Sequence, residues 1–111
     1  VYVKDCVDVM WWLLKNEGAN GIFNLGTGRA RTWNDLIRAV FDAMGLVPEI
    51  EYIDMPDELR DQYQYFTEAK TDKLRSLGCP VDFSSLENSV GDYIQNYLRQ
   101  TDPHLGNNRT A

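Results

Sequence analysis

The sequence predicts an α/β fold of three short strands and four to five helices, and three observations carry that expectation. Long stretches repeat apolar residues at helical spacing, short β-prone runs lie between them, and Gly, Pro and capping residues fall at the joints. Strands are expected at residues 1–3 (Val1-Tyr2-Val3), 22–25 (Ile22-Phe23-Asn24-Leu25) and 49–53 (Glu-Ile-Glu-Tyr-Ile), the last with one wet face.

The first helix is expected from Asp5, a possible cap, to about Glu17, with Gly18 to end it. Val7, Met10, Trp11 and Leu14 form one stripe along it. Cys6, Val9 and Leu13 extend the stripe, so the helix should be covered on more than one side. Thr32 and Asp35 have capping-box spacing. Behind them Trp33, Leu36, Ile37, Val40, Phe41 and Met44 trace the cleanest amphipathic helix, which Gly45 is placed to end. A helical turn is expected at 57–60, a short helix at 72–77 before Gly78 and Pro80, and a last helix after Ser84 and Glu87. That last helix aligns Leu86, Val90, Tyr93, Ile94, Tyr97 and Leu98. From Thr101 the tail is polar.

The composition, 43% hydrophobic and 25% charged, is that of an ordinary globular chain. Seventeen acidic against eleven basic residues give −6 at pH 7, with no basic stripe, which argues against a nucleic-acid partner. No run approaches the roughly 18 to 20 apolar residues of a membrane span. Cys6 and Cys79 are isolated and His104 is the single histidine, so neither a zinc site nor a disulfide framework is indicated. Scattered cysteines fit a reducing cytoplasm. The opening at Val1, without Met and inside a β-prone run, leads to the expectation of a portion of a longer protein.

Three segments could carry chemistry. Gly26-Thr27-Gly28 lies between a strand and a helix, where backbone N–H groups can cradle phosphate. The dinucleotide fingerprint needs a further glycine where Arg31 stands, and a tight connection near a cleft is the competing reading. Asn24 and Arg29 flank that turn, either satisfying its backbone or facing a ligand. The run Arg60-Asp61-Gln62-Tyr63-Gln64-Tyr65-Phe66-Thr67 is unusually rich in aromatic and hydrogen-bonding groups for a connector. Tyr63 could stack on or hydrogen-bond a nucleotide or sugar, and Arg60 could pair with a diphosphate. Alternatively, Tyr65 and Phe66 pack in the core and Arg60 pairs with a nearby acid. Asp54, Asp57, Glu58 and Asp61 read as a solvated acidic face, and the adjacent Trp11 and Trp12 as packing residues pointing in different directions.

The runs from Val1-Tyr2-Val3-Lys4-Asp5 and through Gly21-Ile22-Phe23-Asn24-Leu25-Gly26-Thr27-Gly28 resemble the late region of the extended short-chain dehydrogenases/reductases. Three further runs are more specific: Gly28-Arg29-Ala30-Arg31-Thr32-Trp33-Asn34-Asp35-Leu36, Ile50-Glu51-Tyr52-Ile53-Asp54-Met55-Pro56 and Tyr63-Gln64-Tyr65-Phe66-Thr67. Their succession resembles the ADP-heptose 6-epimerase family, over residues 1 to about 99.

The resemblance implies the C-terminal, substrate-binding portion of a Rossmann-type fold. Residues 1–31 would end the Rossmann-associated region, 32–100 would form a small substrate-binding domain, and 101–111 a flexible tail. It implies an NADP-dependent inversion at C6″ of ADP-D-glycero-D-manno-heptose, a step toward the lipopolysaccharide inner core. The catalytic residues and the NADP site would lie upstream of Val1, leaving none here and making this portion inactive alone. Tyr63 matches the family's substrate-contacting tyrosine, and Arg60 is the second expected substrate-binding residue. A basic residue of the family pattern is not kept beside Tyr63, where Gln62 stands. The expected partners are the ADP-sugar, the missing N-terminal Rossmann region, whose surface the apolar first helix would cover, and further copies of the full-length chain as a homo-oligomer. Two other readings stay open: another nucleotide-sugar epimerase or dehydratase of the same superfamily, and a non-catalytic acidic interaction domain docking through the Trp11/Trp12 helix.

Overall fold

A computed structural model describes residues 1–103. The elements are α1 (Val3–Lys15), α2 (Trp33–Met44), α3 (Asp57–Arg60), α4 (Asp72–Ser76) and α5 (Leu86–Tyr93), which runs on into a π-helical stretch, Ile94–Leu98. They belong to two compact units whose segments interleave along the chain. Unit 1 is Val1–Ala30 with Glu49–Phe83, and unit 2 is Arg31–Pro48 with Ser84–Ala111. The polar tail from His104 onward, and with it most of the expected flexible segment 101–111, lies outside the described residues.

The α/β expectation is corrected: the described residues contain no strand. At 1–3 the helix starts early, α1 opening at Val3 with the Cys6 amide donating to the Tyr2 carbonyl at 3.2 Å. Tyr2 is its N-cap, so Asp5 does not cap the helix but sits buried in its first turn, where a carboxylate suits the positive end of the helix dipole. Residues 22–25 and 49–53 belong to unit 1 but join no ladder. A β-prone run becomes a strand only when a neighbour exchanges backbone hydrogen bonds with it. Beside 22–25 runs the segment 68–73, and it binds through side chains instead. Lys73 Nζ donates to the Ile22 carbonyl at 3.0 Å, Asn24 Nδ2 donates to the Lys70 carbonyl at 3.2 Å, and the Ala30 amide donates to Glu68 Oε2 at 3.0 Å.

Unit 1 is organised around Val9, Leu74 and Cys79, with Trp12, Leu13, Phe23, Leu25, Val81 and Phe83 packed against them. α1 ends at Lys15 rather than at Gly18. The Asn16 side chain donates to the Trp12 carbonyl at 2.7 Å, and the Asn16 amide to the Leu13 carbonyl at 3.1 Å. α4 brings Leu74 inward and is closed by Gly78 at φ 81°, a left-handed conformation suited to glycine. Arg75 then donates to the carbonyls of Cys79 and Val81 at 3.3 and 2.8 Å, fastening the segment that supplies Cys79, Val81 and Phe83 to the core.

Unit 2 packs α2 against α5 and its π-helical continuation. Thr32 and Asp35 form the expected capping box: the Asp35 amide donates to Thr32 Oγ1 at 3.1 Å and the Thr32 amide to Asp35 Oδ2 at 3.1 Å. Gly45 ends α2 at φ 71°, with the Leu46 amide reaching back to the Phe41 carbonyl at 2.9 Å. For α5 the cap falls one residue later than expected. Ser85, not Ser84, accepts from the Asn88 amide at 3.1 Å, so the anticipated pairing of Ser84 with Glu87 is replaced. Ala39 and Ile94 are the buried apolar centre, and Gln95 Nε2 reaches the Ala43 carbonyl at 3.5 Å.

Candidate functional site

The expected substrate segment lies in unit 1, at the end of α3 and in the loop beyond it. Pro56 opens the turn because its fixed φ suits a helix start. Asp57 and Glu58 occupy the first turn and Arg60 the last, which matches the helix dipole. Arg60 Nε pairs with Asp57 Oδ1 at 3.2 Å, and both side chains are well exposed. The alternative of a local ion pair therefore describes Arg60 in this structure. A pair so exposed binds weakly and leaves the guanidinium available to a stronger anion.

Tyr63 follows three residues later, after the Gln62 amide has closed the turn onto the Leu59 carbonyl at 3.2 Å. Its ring meets that of Tyr65 edge-on, with centroids 5.2 Å apart and planes at 72°. Such a T-shaped pair holds two rings in a defined relation. Tyr63 is 38% exposed, so it is neither buried in the core nor fully solvated. Tyr65 and Phe66 are 77% and 71% exposed, which overturns their core-packing alternative. Thr67 Oγ1 donates to Gln64 Oε1 at 3.3 Å and draws the loop together behind the rings. The segment thus presents a cation, a phenol and open aromatic faces on one short stretch of unit 1. Asp54, Asp57, Glu58 and Asp61 are all exposed beside them, as expected for a solvated acidic face.

The Gly26-Thr27-Gly28 turn is a packing joint. A Cβ on Gly26 would lie 2.6 Å from the Ala69 Cβ, so Ala69 packs directly against the face of Gly26 from which a side chain would project. Thr27 Oγ1 accepts from the Arg29 amide at 3.2 Å and donates to the Arg29 carbonyl at 3.1 Å. Asn24 is spent on the Lys70 carbonyl, and Arg29 is exposed. In unit 2, the capping box at the start of α2 takes the amides of Thr32 and Asp35.

One charged cluster has only half a local signal. Arg31 Nε meets Asp35 Oδ2 at 3.2 Å, an i, i+4 pair, and Arg31 also reaches Glu87 at 2.6 Å from 56 residues away. The Arg31 hydrogen bond, then its own backbone amide, holds the Glu87 carboxyl below its ordinary range. The Thr32 backbone amide, then Arg31, does the same for Asp35. Glu87 first and Asp35 second raise Arg31 in turn. All three groups are mutually satisfied and join the start of α2 to the first turn of α5.

Among the described residues no group of three or more His, Cys, Asp or Glu stands together to hold a metal. Cys79 is buried and Cys6 half-buried, both as free thiols. His104 lies outside the described residues. No helix of the described residues is long and apolar enough to cross a membrane.

No protein-family model matches the chain. Comparison with curated proteins gives a class first: the relatives it resembles are sugar epimerases by name. In particular, they are named ADP-L-glycero-D-manno-heptose-6-epimerase. The protein of Nitratidesulfovibrio vulgaris strain Hildenborough is 64% identical over 105 residues, covering 95% of this chain and 32% of that protein. That of Fusobacterium nucleatum subsp. nucleatum is 45% identical over 111 residues, covering 95% of this chain and 33% of its own length. That of Alkalilimnicola ehrlichii is 45% identical over 94 residues, covering 85% and 29%. The resemblance to ADP-heptose 6-epimerases read from the residues is therefore shown. The chain spans about a third of the length of the relatives it matches.

Proposed function

We propose that this chain is the substrate-facing C-terminal portion of an NADP-dependent epimerase. The whole protein would invert C6″ of ADP-D-glycero-D-manno-heptose in the cytoplasm, toward the lipopolysaccharide inner core. The observation that carries the proposal is 64% identity across 95% of the chain to proteins named for that epimerisation. On this reading residues 1–31 end the cofactor-associated region and 32–100 hold the part that meets substrate. The catalytic groups and NADP site belong to the part of the relatives' length that this chain does not span, so the portion is inactive alone.

Bound NADP would supply reversible hydride chemistry at the sugar carbon. The residues present do not make that cofactor's site, since Arg31 stands where the dinucleotide fingerprint needs its third glycine. What these residues do is bind. Tyr63, steadied edge-on by Tyr65, offers a hydroxyl and a ring to the nucleotide-sugar. Arg60 exchanges its exposed Asp57 partner for the diphosphate, whose two charges make a stronger, charge-assisted contact. Neither residue moves a proton in this scheme.

The test uses the complete polypeptide that contains this chain. Titration calorimetry with an ADP-sugar should show Tyr63→Ala weakening binding by about 1–3 kcal/mol, the range for a polar group left without its partner. Tyr63→Phe separates the hydroxyl from the ring, and Arg60→Ala should lower affinity most at low salt. Unchanged affinity in Tyr63→Ala removes this residue from the site.

A further inference from the structure

Asparagine is a chemically labile residue where the next backbone nitrogen can reach its side chain, and one peptide bond of unit 1 is open to that attack. Asn20-Gly21 lies between α1 and the extended run 22–25, and both residues are exposed. On its N-terminal side the turn is fastened by the Ala19 amide, which donates to the Asn16 carbonyl at 2.9 Å. On its C-terminal side Lys73 Nζ holds the Ile22 carbonyl at 3.0 Å and lies 4.3 Å from the Phe23 ring centroid. Between these fastenings the Gly21 amide makes no hydrogen bond to any described residue. Gly21 stands at φ 101° and carries no Cβ, so no side chain shields its nitrogen. The Asn20 side chain is held by one long contact, Nδ2 to the Glu17 carbonyl at 3.4 Å. The other described asparagines are better protected. Asn34, Asn88 and Asn96 stand within helical segments. Asn16 and Asn24 precede Glu17 and Leu25 and donate to the Trp12 and Lys70 carbonyls at 2.7 and 3.2 Å.

We propose that Asn20 is a site of spontaneous covalent modification, converted through a cyclic imide with Gly21 into aspartate and isoaspartate. The Gly21 nitrogen gives its proton to hydroxide and attacks Asn20 Cγ, forming an N–Cγ bond. The Cγ–Nδ2 bond breaks, and ammonia leaves with a proton taken from water. Water then opens the imide at either of its carbonyls. Attack at Cγ restores the ordinary chain with an aspartate in place of Asn20. Attack at the backbone carbonyl reroutes the chain through the side-chain carbon and adds a methylene to the main chain. Overall water enters and ammonia departs, with no change of oxidation state.

Either product sets a carboxylate where a neutral amide stood and removes the donor to the Glu17 carbonyl. The isoaspartyl form also lengthens the main chain just before Ile22, which Lys73 clamps ahead of Phe23 and Leu25, both packed against the unit 1 core. The modification therefore falls at the entry to a core-forming segment. It is independent of the reading of the chain as part of an epimerase.

The test ages the complete polypeptide that contains this chain in neutral and in mildly alkaline buffer, folded and in urea. Samples are digested in acid, where imide formation is slow, and the peptides are separated and sequenced by fragmentation mass spectrometry. Asn20 should give two slightly heavier products, isoaspartate the more abundant, and both should accumulate faster in alkali. In the folded protein it should convert at least about ten-fold faster than Asn16, Asn24, Asn34, Asn88 or Asn96. Asn20→Gln, whose longer side chain must close a larger ring, should stay unconverted over the same period. Conversion no faster than at the other asparagines would overturn the proposal, as would an Asn20 that reacts in urea but stays intact when folded. Aspartate without isoaspartate would also overturn it, because direct hydrolysis of the side chain leaves no rerouted chain.

Discussion

Leu74 and Leu14 carry the same side chain in opposite circumstances, at 1% and 73% exposure. Truncating each to alanine tests the burial pattern directly. At Leu74 the side chain lies with Val9 and Cys79 inside a ring of Trp12, Leu13, Phe23, Leu25, Val81 and Phe83. Buried Leu→Ala substitutions cost about 2–5 kcal/mol, the lower values where neighbours relax into the hole. Two of the segments around Leu74 are extended and lack a ladder, which favours relaxation, but Lys73 and Arg75 fasten both of them. Leu74→Ala should therefore cost about 3 kcal/mol, near the middle of that range. A chain of this size has only about 5–15 kcal/mol in total. Urea unfolding, with a slope of about 1–3 kcal/mol per molar, should show the midpoint falling by about 1–3 M. Leu14→Ala should stay within about 0.5 kcal/mol of the parent. Equal losses at the two positions would refute the assignment of the inner and outer faces of α1.

Two further substitutions probe the joints. The Glu87 carboxyl is held low by Arg31, so its contribution is fully present above its ordinary value of 4.5 and is lost as pH falls through the lower folded value. Glu87→Gln should remove that part of the acid sensitivity of unit 2, and an unaltered pH-melting profile below about pH 4.5 would show that the Arg31 contact contributes nothing. Gly26→Ala would set its methyl 2.6 Å from that of Ala69, and should cost about 1–3 kcal/mol in the same urea assay. A neutral result would mean that the two segments part without penalty.

What could be read in the sequence was local. Thr32 with Asp35 and Gly45 delimited α2 because capping boxes and left-handed glycines act within a few residues. The different directions of Trp11 and Trp12 followed from helical geometry alone, and the structure leaves one exposed and the other against the core. The strand expectation failed because strandness is a property of a pair. Residues 22–25 have the right composition, yet the neighbouring segment answers them with Lys73, Asn24–Lys70 and Glu68 contacts. The cap of α5 slipped from Ser84 to Ser85 because two serines in a row offer the same hydroxyl one residue apart. Arg31 to Glu87 had no sequence signal, since 56 residues separate the partners. For the candidate site, the composition of 60–67 flagged an unusual loop, but the exposure of Tyr65 and Phe66 depended on what the rest of unit 1 left uncovered.

The chain leaves the first body at Arg31, returns to it at Glu49 and departs again at Ser84. No single cut therefore frees either body intact: a protease nick or a truncation anywhere between these crossings divides one of them. An engineer wishing to graft the tyrosine-bearing part onto another enzyme would have to transplant two stretches together and bridge the gap left by Arg31–Pro48. A helical insert in that gap could change without breaking the stretch that carries Tyr63, which gives the surrounding sequence a place to vary while the Tyr63 loop is kept.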